Sequence, residues 1–190
     1  MPRYRILDQK GINYLTLTVV GWIDVFTPLL INIQKGLDDW DFYGGNRNNL
    51  QAEENARGLL LFWRFNDLPV FHIKHNSTNP ESRLVKGKPG NDFKDIVKPL
   101  EAETVIEKNV NNAFIGTDLK KLLDRPAITK LVIAGLTTDH CVSATARMAG
   151  NLGYDTYIVS DATATFDKVG ANGKKYSAEM IHEAELASLQ

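Results

Sequence analysis

The sequence predicts an α/β fold with three layers: a mainly parallel, doubly wound sheet between two layers of helices. Three observations predict it. Short apolar runs rich in β-branched residues recur along the chain, and such runs suit strands buried on both faces. Between them lie stretches with apolar residues at helical spacing, so strands alternate with helices and pair in parallel through right-handed crossovers. Polar loops rich in Gly, Asn and Asp follow the carboxyl ends of the runs, where open α/β sheets build their pockets.

The elements follow in order. Residues 1–26 read as an N-terminal extension and residues 27–190 as the α/β domain. Within the extension, Tyr14–Val20 (YLTLTVV) has strand propensity but no evident place in the sheet. Ile12–Ile33 is largely apolar and follows Arg3, Arg5 and Lys10, as in a leader or anchor. Asp24 and Pro28 interrupt it, so its unbroken apolar part is too short to span a bilayer. Leu29–Ile33 (LLINI) reads as the first core strand. Gln34–Asn49 reads as a long polar loop carrying Trp40, Phe42 and Tyr43. Leu50–Asn66 sets Ala52, Ala56, Leu59, Leu60 and Trp63 on one helical face. Leu68–Ile73 is the second strand, and Asn76–Gly90 is a loop rich in turn formers. Thr104–Glu107 is the third strand, with Lys108 at its end. Thr117–Arg125 is a short helix capped by Thr117 or Asp118. Lys130–Ala134 (KLVIA) and Tyr154–Ser160 are the last two strands, and the final helix starts near Ser177.

The most informative stretch is Gly135–Gly150, GLTTDHCVSATARMAG, which holds the only cysteine, Cys141. Val142, Ala146 and Ala149 recur at helical spacing after it, and Thr138 or Asp139 is a fitting N-cap. Cys141 is thereby expected in the first turn of a helix, just past the carboxyl end of a strand. Most lone cysteines are small buried apolar residues. At a helix N-terminus, however, unpaired N–H groups and the dipole favour an anion and lower the pKa of a thiol.

Composition bounds the function. The chain has 190 residues, a formal net charge of −1 and 43% apolar residues. That charge offers no electrostatic case for nucleic acid or an anionic membrane. One cysteine excludes an internal disulfide framework and a Cys-rich zinc site, and suits a reducing cytoplasm. Neither a GxGxxG nor a Walker phosphate loop occurs.

The segment GLTTDHCVSATARMAGNLGYDTYIVSDATATFD closely resembles the nucleophile segment of the isochorismatase-like cysteine hydrolases, which include nicotinamidases. The resemblance runs from about Leu29 to Leu189. It implies a site built from an Asp, a Lys and a Cys at the ends of three strands. Cys141 takes the nucleophile position. Lys108, in EKNVNNAF, takes the position of the cation. Asn32 in LLINIQKG stands where the family has its proton-carrying Asp, and an amide does not accept a proton at neutral pH. Asp24 in WIDVF has a superficially similar context, but the loop and helix after Gln34 fit the family better.

The resemblance further implies a cis peptide bond at Leu136–Thr137 and an oxyanion hole made by the backbone N–H groups of Thr137 and Cys141. Candidate substrate-binding residues are Gln34, Phe42, His75, Asn112, Phe114 and His140. The nicotinamidase Asp-x-His metal motif is absent from Lys74-His75-Asn76-Ser77, so no metal and no cofactor are expected. The loops Asp38–Asn49 and STNPESRLVKGKPGN resemble a metal-free subset that includes lactam hydrolases. The expected activity is hydrolysis of a small amide- or lactam-type C–N bond through a Cys141 thioester, impaired by Asn32. The alternatives are a binding or oligomeric module and a vinyl-ether hydrolase. A homo-oligomer is expected. The resemblance also implies one more strand after the last helix; this chain is expected to lack that edge strand, which residues 14–20 could replace.

Overall fold

The computed structural model describes residues 4–7, 26–124 and 128–190. A parallel sheet holds β1 (Tyr4–Leu7), β2 (Phe26–Ile31), β3 (Phe71–His75), β4 (Thr104–Lys108), β5 (Lys130–Leu136) and β6 (Asp155–Ala164). Their spatial order is β1-β6-β5-β2-β3-β4, so after the edge strand β1 the chain enters near the middle with β2, winds out to β4, and returns through β5 to β6. The edge beyond β6 is taken by β1, whose Tyr4 lies opposite Thr156 and whose Leu7 lies opposite Val159. The 14–20 segment and Asp24 lie outside the described residues.

Strand alternation divides the core in two. Leu29 and Ile31 of β2, Phe71 and Ile73 of β3, and Leu131 and Ile133 of β5 face one layer. That layer holds α3 (Leu119–Asp124), α4 (Ser143–Asn151) and α5 (Ala178–Ser188), which close over it with Leu119, Leu123, Ala146, Ala149 and Leu186. Leu30, Val132, Ala134, Tyr157 and Val159 face the other side, where Ala56, Leu60 and Trp63 of α2 (Ala52–Phe65) cover them. This two-faced burial explains why the strands read as continuous apolar runs. Leu60 is fully buried, which contributes about 1.5–3 kcal/mol relative to exposure. The Trp63 indole N–H donates to Phe26 O at 2.6 Å and ties α2 to the start of β2.

Several boundaries differ from those the sequence suggests, each for a physical reason. The Gln34–Asn49 segment is not a plain loop. It contains a 3-10 turn at Lys35–Asp38 and a single helical turn, α1 (Trp40–Tyr43), in which Asp39 accepts from Phe42 N. A buried ion group pins this segment to α2. Arg47 is bidentate on Glu53, and Lys94 Nζ lies 2.6 Å from Glu53 Oε1. Strand β6 runs four residues past Ser160, because β5 resumes pairing after a register shift, with Gly135 opposite Thr163 and Leu136 opposite Ala164. A small hairpin follows, β7 (Lys168–Val169) and β8 (Lys175–Tyr176). Ser177 caps α5 by accepting from Met180 N.

That register shift depends on Gly135. Its φ is 122°, and an added Cβ would meet Ile31 O at 2.0 Å. The β5 backbone can therefore approach β2 only without a side chain there. Gly135→Ala is expected to lose roughly 2–4 kcal/mol of stability. Urea unfolding with an unchanged slope measures it; a loss well under 1 kcal/mol would mean that the two strands part easily.

Candidate active site

The carboxyl ends of β2, β3, β4 and β5 converge on a cavity of about 200 Å³. Asn32, His75, Asn111, Thr137, His140, Cys141 and Lys168 line its polar side, and Leu37, Leu84, Leu136 and Phe166 form an apolar wall, with Tyr43 and Ser82 completing it. This is the crevice position that the doubly wound topology favours.

Cys141 sits in a wide π turn, Thr138–Val142, which opens directly into α4. The sequence suggests instead the first turn of an α-helix with a Thr138 or Asp139 cap. In the structure Thr137 is the N-cap residue and makes no side-chain cap bond. Both other polar side chains are used elsewhere. Thr138 Oγ1 bonds His182 Nδ1 at 2.9 Å, and Asp139 takes the Thr165 hydroxyl at 2.5 Å and Lys168 Nζ at 2.8 Å. The turn therefore hangs on α5 and on the strand end at 165–168. The Leu136–Thr137 peptide bond is cis.

Lys108 is 3% exposed, and its Nζ lies 3.2 Å from Cys141 Sγ. It also lies 3.1 Å from Val110 O and 3.3 Å from His75 Nδ1. Burial lowers the Lys108 pKa from its usual range, and the neighbouring sulfur opposes that shift. Cys141 is 6% exposed, and its thiol also reaches toward Asn111 Oδ1 at 3.8 Å. An ammonium this close stabilises negative charge that develops beside it.

Asn32 is 3% exposed with φ 49°, a left-handed conformation that Asn tolerates better than most residues. Its N–H donates to Ile73 O at 2.8 Å, and its carbonyl accepts from Gln34 N at 2.8 Å. Its Oδ1 is buried with no hydrogen-bond partner among the described residues, a situation that costs about 1–3 kcal/mol.

The remaining candidates divide. His75 and His140 line the cavity. Gln34 does not: its amide continues the β2–β3 ladder beyond Ile31. Its Oε1 accepts from His75 N at 2.8 Å, and its Nε2 donates to His75 O at 3.1 Å and to Asn91 O at 2.8 Å. Asn112 clamps backbone, donating to Ala144 O and accepting from Phe114 N. Phe114 stacks on Tyr154 at the edge of the core. Phe42 lines an adjoining groove, bounded also by Tyr43, Lys168 and Val169, and packs under the Arg83 guanidinium. Sequence reasoning did not single out Asn111, Lys168 or the Leu37–Leu84–Phe166 wall. Asn111 alone carried a signal, its place in the NVNNAF run beside Lys108.

His72 and His75 part company, as strand alternation requires. His72 is fully buried and bonds Glu103 Oε2 at 2.8 Å. No group of three or more His, Cys, Asp or Glu side chains that could hold a metal occurs among the described residues.

A doubly wound α/β protein with a cysteine and a buried lysine at its strand ends is the class that this geometry defines. The Isochorismatase domain model matches residues 27–188. The isochorismatase family protein YrdC of Bacillus subtilis is 46% identical over 161 residues, 85% of each chain. A crystal structure of an isochorismatase-family chain from Chromobacterium violaceum superposes with a TM-score of 0.84 at 43% identity, covering 90% of this chain and 88% of that one. The streptothricin hydrolase of Streptomyces noursei is 33% identical over 114 residues, 60% of this chain and 41% of that protein. The chain belongs to the isochorismatase family of hydrolases.

Burial lowers the pKa values of His72, His75 and His182. For His75 the value is about 4, with Lys108 adding to the effect. A group whose folded pKa lies below its unfolded one binds its proton first in the unfolded chain. Stability is thus full above the unfolded histidine value of 6.5 and falls as pH drops from there toward 4. Carboxylates such as Glu103, lowered to about 2 by its Arg64 and His72 partners against burial, add their loss only below 4.5. The melting temperature should therefore decline between pH 7 and pH 5, a window owned by the histidines; a flat melting temperature there would contradict their depressed values.

Proposed function

We propose that this chain hydrolyses a small amide- or lactam-type C–N bond through a thioester on Cys141, with proton delivery slowed by Asn32. The observation that carries the reading is the 3.2 Å contact between Lys108 Nζ and Cys141 Sγ, where Cys141 lines a small cavity with an apolar wall. The thiolate attacks the carbonyl carbon, and the oxyanion takes the backbone N–H groups of Thr137 and Cys141, both cavity residues. The tetrahedral adduct collapses to the thioester when the leaving nitrogen gains a proton. Water then attacks the thioester and releases the acid. Similarity to a streptothricin hydrolase supports hydrolysis as the reaction.

Asn32 bears on the protonation step. Its carboxamide neither gives nor takes a proton at neutral pH, and its Oδ1 is unpartnered. Losing a positioned acid–base group costs ~10²–10⁴ in rate. Thiol reactivity and amide turnover should therefore separate. Cys141 is expected to react readily with iodoacetamide well below pH 8, or to trap an activated ester as a stable thioester. Amide turnover should be very slow, and Asn32→Asp should raise it by about two to four orders of magnitude. Equal turnover of the wild type and Asn32→Asp would assign the proton to another residue. The orphaned Asn32 Oδ1 favours a second reading, a binding module that has lost catalysis. An inert thiol with no turnover of any amide in either form would select it.

Assembly as a homo-oligomer in a reducing compartment completes the proposal. Leu61, Phe62 and Phe65 of α2 are exposed, Phe65 by 87%, and exposed apolar clusters mark association surfaces. Light scattering at micromolar concentration should give at least a dimer; a monomer would sink this part.

A further inference from the structure

The mechanism above leaves His75 without a task. We propose that His75 is a positioning residue: its neutral ring accepts a hydrogen bond from Lys108 and holds the ammonium on Cys141, in a site where position 32 supplies no carboxylate. The assignment rests on the activated-cysteine reading of the same site.

An ammonium has three N–H donors and no acceptor. Lys108 Nζ has three acceptors around it: Cys141 Sγ at 3.2 Å, Val110 O at 3.1 Å and His75 Nδ1 at 3.3 Å. The buried cation is thereby satisfied without a carboxylate among these partners. For Nδ1 to accept, the ring must be neutral with its proton on Nε2. Burial and the facing ammonium favour that neutral form, and they outweigh a hydrogen bond between the ring and the Val110 backbone that opposes it. A neutral acceptor orients the ammonium without cancelling its charge, so the full charge acts on sulfur.

The mounting of the ring is as specific as its contact. His75 and Lys108 are register partners across the parallel β3–β4 pair, so their side chains leave the sheet side by side. The His75 backbone is fixed on both sides: its N–H donates to Gln34 Oε1, and its carbonyl accepts from Gln34 Nε2 and from Asn91 Nδ2 at 2.9 Å. Substituting the ring therefore leaves the strand end anchored. Of the other titratable groups at the cavity, His140 and Lys168 bond each other and Asp139 instead, and Tyr43 stacks on Phe166. Glu107, on the opposite face of β4, is held by Lys86 and Asn76.

The test is the rate of Cys141 alkylation by iodoacetamide as a function of pH, in the whole chain, with glutathione as reference. His75→Ala should react about tenfold more slowly at pH 7, the scale of one lost hydrogen bond. His75→Asn should recover most of that rate, because its Oδ1 can stand where Nδ1 stood. His75→Leu keeps the volume without an acceptor and should behave as His75→Ala; it decides the matter if the alanine variant fails to fold. Near pH 10, where any accessible thiol is ionised, all four proteins should converge. Equal rates for the wild type and His75→Leu at pH 7 would overturn the assignment. So would a deficit that persists at high pH, or an asparagine variant no faster than the leucine one. A wild-type thiol no more reactive than glutathione would overturn the activated-cysteine reading as well. A reactive thiol indifferent to position 75 overturns the His75 assignment alone.

Discussion

The site depends on one buried ammonium. Lys108 is almost wholly removed from water, and a charge in that position is tolerated only where acceptors replace its hydration. The sheet supplies them from three places. Val110 gives a carbonyl just past the end of β4, His75 gives a ring from the neighbouring strand, and the π turn after β5 gives the sulfur of Cys141. Removing any of these leaves a desolvated N–H without a partner, which is costlier than the loss of a surface contact. The chemistry and the local stability thus draw on the same three contacts.

Much of the surrounding structure serves to hold those acceptors still. Gln34 is placed where β2 has ended, and its side-chain amide acts as an extra peptide group for His75. Asn91 reaches into the same junction from a separate loop, bonding His75 O, Asn76 Oδ1 and Leu84 O. On the other wall, Thr138 and Asp139 tie the turn that carries Cys141 to His182, Thr165 and Lys168. Strand ends would otherwise fray into solvent, and side-chain amides and hydroxyls are the groups able to stand in for a missing ladder partner.

Asn32 leaves a buried polar atom of the site without a partner among the described residues. Its backbone is well bonded on both sides, while its Oδ1 is buried and unpartnered. The backbone position is therefore kept by the fold, whatever the side chain there does. The catalytic question turns on one functional group and not on any distortion of the scaffold around it.

The sequence by itself determined the parallel sheet and the succession of its core strands along the chain, and it marked Cys141 and Lys108 as the candidate pair. Continuous apolar runs such as KLVIA and LLINI can be buried only between two helical layers, and Cys141 and Lys108 stand in motifs specific enough to be read without coordinates. Only the tertiary structure decided which other polar residues face the cavity. Gln34 and Asn112 looked like binding residues, yet their amides are consumed by backbone groups distant in sequence. Lys168 and the Leu37–Leu84–Phe166 wall carried no local signal, because chain segments far apart meet there only after the sheet has closed. The extension of β6 and the edge position of β1 were equally unreadable. Asp161–Ala164 has little strand propensity of its own, and its conformation is imposed by pairing with β5 across Gly135. Periodicity and composition report which face of an element is buried. They do not report the partner across a gap of a hundred residues, and a site made of such partners is decided by packing.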